Sequence, residues 1–180
     1  ITTKKGTYPL LSKIASGDLT DVYASERKSD GAQLVLKVSK DSSINDLVQV
    51  ESRVLSKMFP AEAAEEGMNR YLPHLVDTLQ INDGSGIRTV NILERLTNWH
   101  SLERVRAAYP AGVKFEHAVW MFNRVLEILA YVHKEHGIVH GAITPAHIVV
   151  FASDAQTDPR NHGAKLLDWS YSVPIGEKLK

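Results

Sequence analysis

The first half of the chain changes its apolar periodicity from that of strands to that of a helix and back. Between residues 8 and 39, short apolar runs alternate with turn residues, which predicts three antiparallel strands joined by tight turns. Between residues 44 and 58, apolar side chains recur every three to four positions, as in an amphipathic helix. Apolar runs at 75–81 and 88–93 predict two more strands. This half is therefore predicted to be a small antiparallel sheet with one helix.

The second half of the chain shows mainly helical periodicity. Residues 101–108 predict a short helix and residues 115–135 a long one. In the longer segment, one predicted face carries the apolar residues Val119, Phe122, Val125, Leu126, Leu129 and Val132. Two short apolar runs, near 147–151 and 164–168, predict strands. The pattern as a whole indicates an α+β protein.

Composition and charge exclude several classes of partner. The 180 residues contain 21 basic and 21 acidic side chains, so the formal charge is zero and nothing favours nucleic acid or an anionic membrane. The absence of cysteine excludes a disulfide framework and a thiolate zinc site. Every apolar run is far shorter than a membrane-spanning helix requires. We therefore expect a cytoplasmic protein with neither nucleic-acid nor membrane partners.

Residues 138–150 carry the most informative motif, Ile-Val-His-Gly-Ala-Ile-Thr-Pro-Ala-His followed by Ile-Val-Val. This segment resembles the catalytic loop of protein kinases, in which His-Arg-Asp is followed by an Asn. The Asp of that signature accepts a proton from the substrate hydroxyl, and the Asn holds a magnesium ion. Here Ala142 stands at the Asp position and His147 at the Asn position. A methyl group cannot accept a proton, so the catalytic base is missing.

Three further motifs with kinase-like spacing occur in the kinase order. Lys37, in a predicted strand, precedes Glu51 of the predicted helix by fourteen residues, which resembles the ion pair that positions the phosphate-binding Lys of kinases. The motif at 168–170, Asp-Trp-Ser, is similar to the Asp-Phe-Gly motif, whose Asp binds magnesium. Gly17 is the one glycine kept from the glycine-rich loop. On these grounds the chain is identified as a degenerate member of the protein-kinase-like superfamily.

The resemblance implies a protein-kinase-like fold with two lobes. Residues 1–94 would form the N-lobe, a five-stranded antiparallel sheet with one helix, and residues 95–180 a reduced, mainly helical C-lobe. Leu93 would be the gatekeeper residue, and residues 94–96 the hinge between the lobes. The chain ends twelve residues after Asp168, so we expect either a shortened piece of a kinase-like protein or a reduced version of it.

The same resemblance implies ATP as the bound nucleotide, with Mg²⁺ or Mn²⁺ as its cation. The residues implied to contact the nucleotide are Gly17, Val22, Lys37, Glu51, Leu93, Glu94, Leu96 and Asp168. His147 and Asp168 would face one metal ion, although imidazole suits zinc, nickel or copper better than magnesium. A metal-free hydrogen bond between these two side chains is the alternative. Likewise, the Lys37–Glu51 pair would either bind phosphate or only lock the helix to the sheet.

These residues predict a pseudokinase-like domain rather than an enzyme. It would bind ATP weakly, transfer little or no phosphate and act through an unidentified protein partner or in regulation. An atypical serine/threonine kinase or small-molecule phosphotransferase is the first alternative, and the His-Gly pair at 140–141 also resembles the aminoglycoside phosphotransferase branch of the superfamily. The second alternative is an interaction module that binds no nucleotide, which the loss of two of the three loop glycines favours.

Overall fold

The structure, a computed structural model, describes residues 1–59, 67–82, 84, 86–151 and 163–178. The chain divides into two compact units, each made of two stretches of sequence. Unit 1 comprises Ile1–Ser56 and His74–Arg95, and unit 2 comprises Lys57–Pro73 and Leu96–Lys180. No helix in the described part of the chain combines the length and the apolar character that crossing a bilayer requires.

Unit 1 is built on a five-stranded antiparallel sheet. Its described strands are β1 (Thr2–Thr3), β2 (Gly6–Thr7), β3 (Lys13–Ser16), β4 (Thr20–Glu26), β5 (Gln33–Ser39), β6 (Leu75–Asn82) and β7 (Ile87–Glu94). The order in the sheet is β3-β4-β5-β7-β6, and β1 pairs with β2 apart from it. One helix, α1 (Asn45–Met58), whose last two residues belong to unit 2, follows a 3-10 turn at Ser42–Ile44 that Asp41 caps. The five sheet strands and α1 lie where the sequence predicts them.

Strand alternation separates the apolar core of unit 1 from a polar face. The buried cluster on one face consists of Tyr8, Leu34, Leu36, Val38, Val90 and Ile92. Successive side chains of a strand point to opposite faces. Lys37 and Asn91, which pair across β5 and β7, therefore point to the other face. There the Asn91 amide donates to the carbonyl of Val48 in α1 at 2.9 Å, so these two polar residues meet the helix.

The expectation of a kinase-like fold with a mainly helical C-lobe is wrong. In the described part of unit 2, the two α-helices α2 (Leu102–Ala108) and α3 (Phe115–Tyr131) accompany five strands. These strands are β8 (His100–Ser101), β9 (Ile138–Val139), β10 (Ile148–Phe151), β11 (Gly163–Leu166) and β12 (Val173–Pro174). They form two small sheets, ordered β11-β10-β8 and β12-β9. The described chain is therefore mixed α/β, with twelve strands in four sheets and three α-helices.

Very short strands explain this error. Strands β8, β9 and β12 contain two residues each, whereas an alternating pattern becomes visible over about four to eight residues. They are stabilised by pairing with distant parts of the chain, as between Val139 and Val173. The two strands predicted near 147–151 and 164–168 do form, as β10 and β11.

Helix α3 buries only part of the face predicted for it, together with Ile128. A π-helical turn at Val132–His136 continues the helix. The buried apolar positions of α3 and this turn are Val125, Ile128 and Val132. The exposed apolar side chains of α3 are Phe115, Val119, Phe122 and Leu126. Because both stripes are apolar, the periodicity alone does not distinguish the face that packs on β11 from the exposed one.

Gly163, the first residue of β11, leaves no room for a side chain. A Cβ atom there would lie 2.7 Å from Cη2 of Trp99, whose ring packs beside Phe151. Gly163→Ala is expected to lower the free energy of unfolding by about 1 to 3 kcal/mol, the usual effect of overpacking. Gly17→Ala is the matched control, because the nearest non-neighbouring atom to a Cβ at Gly17 is Thr20 O, 3.9 Å away. Equal urea-unfolding midpoints for the two variants would show this packing interpretation to be incorrect.

Candidate functional site

His140 anchors the loop that resembles the kinase catalytic loop. The side chain follows β9 and is completely buried. Its Nδ1 accepts the backbone N–H of Ala142 at 3.2 Å, so the ring proton of the neutral side chain lies on Nε2. Nε2 then donates to the carbonyl of Leu167 at 2.9 Å. Gly141 makes the turn between His140 and Ala142 with φ +81°, a conformation that favours glycine. Because both ring nitrogens of His140 bind the backbone, this residue has a structural role.

The backbone of Ala142 orients the side chain of His147. The carbonyl oxygen of Ala142 lies 2.7 Å from Nδ1 of His147. A carbonyl oxygen can only accept a hydrogen bond, so Nδ1 carries a proton. In neutral His147 this leaves Nε2 without a proton, as an acceptor or a metal ligand. The residue at the position of the missing base thus contributes to the site through its main chain.

Asp168 faces this nitrogen from just beyond the end of β11. Its Oδ2 lies 3.4 Å from Nε2 of His147, and the side chains of Asp168 and His147 are 22% and 26% exposed. The backbone of Asp168 is left-handed, with φ +62°, a region that Asp tolerates better than most residues. The Ser170 N–H donates to Oδ1 at 3.4 Å. Backbone strain of this kind is concentrated at functional sites, which marks Asp168 as a candidate.

The two facing acceptors, Nε2 of neutral His147 and Oδ2 of Asp168, need a positive charge between them. A proton on Nε2 would make the contact an imidazolium–carboxylate hydrogen bond. A metal ion would take both atoms as ligands, and a ligating His commonly donates its other N–H to a carbonyl, as Nδ1 does here. No group of three or more His, Cys, Asp or Glu that could hold a metal occurs among the described residues. Within that part of the chain the pair offers two ligands, and both alternatives from the sequence stay open.

Trp169 packs the segment after β11 into the core of unit 2. Its ring is completely buried, and its centroid lies 4.4 Å from that of the His140 ring. The indole Nε1 donates to Leu166 O at 2.8 Å. The backbone N–H of Leu167 donates to His147 O at 2.7 Å. These contacts join the catalytic-loop-like segment to the segment that carries the carboxylate.

Lys37 and Glu51 form a buried ion pair in unit 1. Nζ of Lys37 lies 3.0 Å from Oε1 of Glu51, and the two side chains are 9% and 2% exposed. Glu51 lies within the buried face of α1. The second carboxylate oxygen accepts a hydrogen bond from Nδ2 of Asn91 at 3.0 Å. Both oxygens of Glu51 are therefore bound by donors.

Asn91 completes this polar cluster, although the sequence motifs do not indicate it. It pairs with Lys37 across β5 and β7 and with Thr78 across β6 and β7. Its Oδ1 accepts the Thr78 hydroxyl at 2.9 Å. The signal in the sequence is an amide in the middle of the apolar run Val-Asn-Ile, because a buried amide needs hydrogen-bond partners.

The turn at Gly17 joins β3 to β4 and closes on itself. The Gly17 N–H donates to Thr20 O at 2.9 Å. The Asp21 carboxylate accepts hydrogen bonds from Nζ of Lys13 at 2.8 Å and from the hydroxyl of Ser16 at 2.7 Å. The hydrogen bond from Lys13 holds the pKa of the Asp21 carboxyl below its ordinary value. The turn therefore carries an ionised carboxylate, which disfavours phosphate, and the charge of Lys13 is already paired.

The remaining positions that the kinase resemblance implies are distributed over both units. Val22, half-buried in β4, pairs with Lys37 across β5 and is thereby brought next to it. Leu93 is buried in β7, and Glu94 ends that strand in an exposed position. Leu96 is half-buried and belongs to unit 2.

No model of a known protein family matches this chain, and no curated protein matches it either. The relation to protein kinases therefore rests on the order of the motifs and stays a prediction. A proposed function therefore has to be argued from the chemistry of two clusters. These are the ion-pair cluster of Lys37, Glu51 and Asn91 in unit 1 and the His–Asp pair of His147 and Asp168 in unit 2.

Proposed function

We propose that this chain is a domain that binds ATP weakly, transfers little or no phosphate and acts in protein interaction or regulation. The observation that carries the proposal is at position 142. A methyl side chain stands there at the base position, while the backbone carbonyl of Ala142 orients His147 toward Asp168. We place the protein in the cytoplasm, with no nucleic-acid partner, because its charges balance and it has no cysteine.

The hydrogen bonds of the loop support binding without phosphate transfer. Ala142 has no side-chain atom that can take a proton from a substrate hydroxyl. His140 uses both ring nitrogens in backbone hydrogen bonds, whereas His147 uses Nδ1 in one and faces Asp168 with Nε2. General-base help contributes roughly a hundred- to ten-thousand-fold to a reaction rate. Its loss leaves an ordered loop without the group that would make it catalytic.

Two clusters support weak nucleotide binding, one in each unit. Phosphates are bound through positive charge, from Lys or from a divalent cation. In unit 1, Glu51 fixes the Lys37 ammonium and also offsets its charge. In unit 2, His147 and Asp168 would hold a cation through one nitrogen and one oxygen, with phosphate and water oxygens as the other ligands. A partly neutralised Lys and a cation site of two protein ligands both favour weak binding.

Saturating ATP is expected to raise the melting temperature. A ligand at about one hundred times its Kd adds about 2.7 kcal/mol to stability, which corresponds to roughly 5 to 10 °C for a chain of this size. Lys37→Met should reduce this shift, and Lys40→Met, a change at an exposed lysine of the same unit, should preserve it. If the melting temperature does not change at millimolar ATP, with Mg²⁺ or Mn²⁺ present, nucleotide binding is excluded. The interaction module without nucleotide would then be the remaining function.

The cation that supports this shift is expected to depend on His147. Imidazole favours Mn²⁺ or Zn²⁺ over Mg²⁺, which prefers oxygen ligands. His147→Asn offers an amide oxygen in place of the ring nitrogen, so the preference should move toward Mg²⁺. His133→Asn, the same change at an exposed position of unit 2, should keep the wild-type preference. If the thermal shifts in the three cations are the same in His147→Asn and wild type, the His–Asp pair is not the metal site.

One observation favours the alternative of an interaction module without nucleotide. The turn at Gly17 is closed by its own hydrogen bonds and is flanked by Asp18 and Asp21, two carboxylates that repel phosphate. The thermal-shift series distinguishes the two functions, because such a module would show no ATP-dependent shift in wild type or in Lys37→Met.

A further inference from the structure

Unit 2 contains a cavity of about 530 Å³ between α2, α3 and the strands β8 and β10. Neither His147 nor Asp168 lines it. Its volume lies in the range of small-molecule sites, roughly 300 to 1,000 Å³. The largest apolar and aromatic side chains of its wall are Tyr109, Trp120, Met121 and Phe151. The cavity is therefore a second candidate site, separate from the kinase-like motifs.

Three side chains of the wall are basic. They belong to His100, Lys114 and His117, and no Asp or Glu occurs among the described lining residues. The Lys114 ammonium forms neither a hydrogen bond nor an ion pair within the part of the chain that the structure describes. An anionic group beside Lys114 would gain a charge partner without displacing an internal carboxylate.

Backbone and capping hydrogen bonds fix the wall of the cavity. His100 of β8 pairs with Val150 of β10, so this side of the cavity belongs to a sheet. The Ser101 hydroxyl caps α2 by accepting the Arg104 N–H at 3.3 Å. These two sides of the cavity are thus held in place, and small-molecule sites are usually pre-formed in this way.

We propose that this cavity binds a small organic acid with an aromatic body. The aromatic part would lie against Tyr109, Trp120 and Phe151, because aromatic rings favour stacked and edge-to-face packing. The carboxylate would pair with Lys114 in a charge-assisted hydrogen bond. A triphosphate does not fit this site, because one lysine ammonium cannot compensate the desolvation of its several negative charges. This binding is independent of the proposed ATP binding.

The test titrates 2-naphthoate into the full chain and follows naphthoate fluorescence, with 2-naphthalenemethanol as the uncharged analogue. Saturable one-to-one binding of naphthoate is expected, with the alcohol about tenfold weaker, as for the loss of one hydrogen bond to a charged group. Lys114→Met should weaken the affinity for naphthoate by about the same factor and leave the affinity for the alcohol unchanged. Lys134→Met, at an exposed lysine of the same unit, should leave both affinities unchanged.

A second variant keeps the test decisive. Val113→Phe narrows the cavity from its wall and should weaken both ligands, with a melting curve to verify that the variant is folded. Absence of saturable naphthoate binding would overturn the proposal, and so would equal naphthoate affinity in wild type, Lys114→Met and Val113→Phe. Binding of an aromatic-rich peptide without binding of naphthoate would also overturn it and assign the cavity to a protein partner.

Discussion

Replacing Glu51 by Ala is expected to lower the free energy of unfolding by about 3 to 5 kcal/mol, the usual cost of breaking a buried ion pair. The change removes the Glu51 carboxylate from the Lys37 ammonium, whose side chain is only 9% exposed. It also removes one acceptor of the Asn91 amide. A buried charge without its counter-charge is far more costly than a lost surface contact, because water cannot replace the missing partner. Urea unfolding measures the difference.

Two controls separate charge burial from a general effect of truncation. The double variant Lys37→Met with Glu51→Leu removes both charges and should recover much of the loss, because apolar residues often replace a buried pair without cost. Glu127→Ala breaks the exposed Arg124–Glu127 pair and should cost less than about 1 kcal/mol. If Glu51→Ala costs no more than Glu127→Ala, the buried pair does not determine the stability of unit 1.

Wild-type protein is expected to transfer phosphate from ATP no faster than its Lys37→Met variant does. Ala142 supplies no proton acceptor, and the loss of such a base removes roughly a hundred- to ten-thousand-fold in rate. The measurement follows labelled phosphate on the protein itself, on generic protein acceptors and on small hydroxyl compounds. A wild-type signal that persists in Lys40→Met and disappears in Lys37→Met would instead establish the atypical phosphotransferase.

The fold of unit 1 could be predicted because its elements are long enough to show a period. Strands β4 to β7 contain seven or eight residues each, and α1 contains fourteen. In unit 2, strands of two residues form through pairing with distant segments, and local periodicity carries no signal of such pairing. Helix α3 has two apolar stripes, and the packing of β11 against one of them decides which is buried.

The sequence allowed us to predict which residues of the candidate site pair with each other, but not the geometry of those pairs. The resemblance to kinases implies the contacts of Lys37 with Glu51 and of His147 with Asp168, both of which the structure contains. Their roles in nucleotide and metal binding stay predictions. The proton position on His147 depends on where the carbonyl of Ala142 points, which no motif encodes.

Equilibrium binding of γ-labelled ATP, followed by separation of the products, tests most directly the claim that this chain binds ATP without transferring its phosphate. With Mg²⁺ or Mn²⁺ present, we predict saturable binding that is weaker in Lys37→Met, and recovery of the label as intact ATP after long incubation. Recovery of the label as phosphoprotein or inorganic phosphate, with wild type and not with Lys37→Met, would contradict the claim.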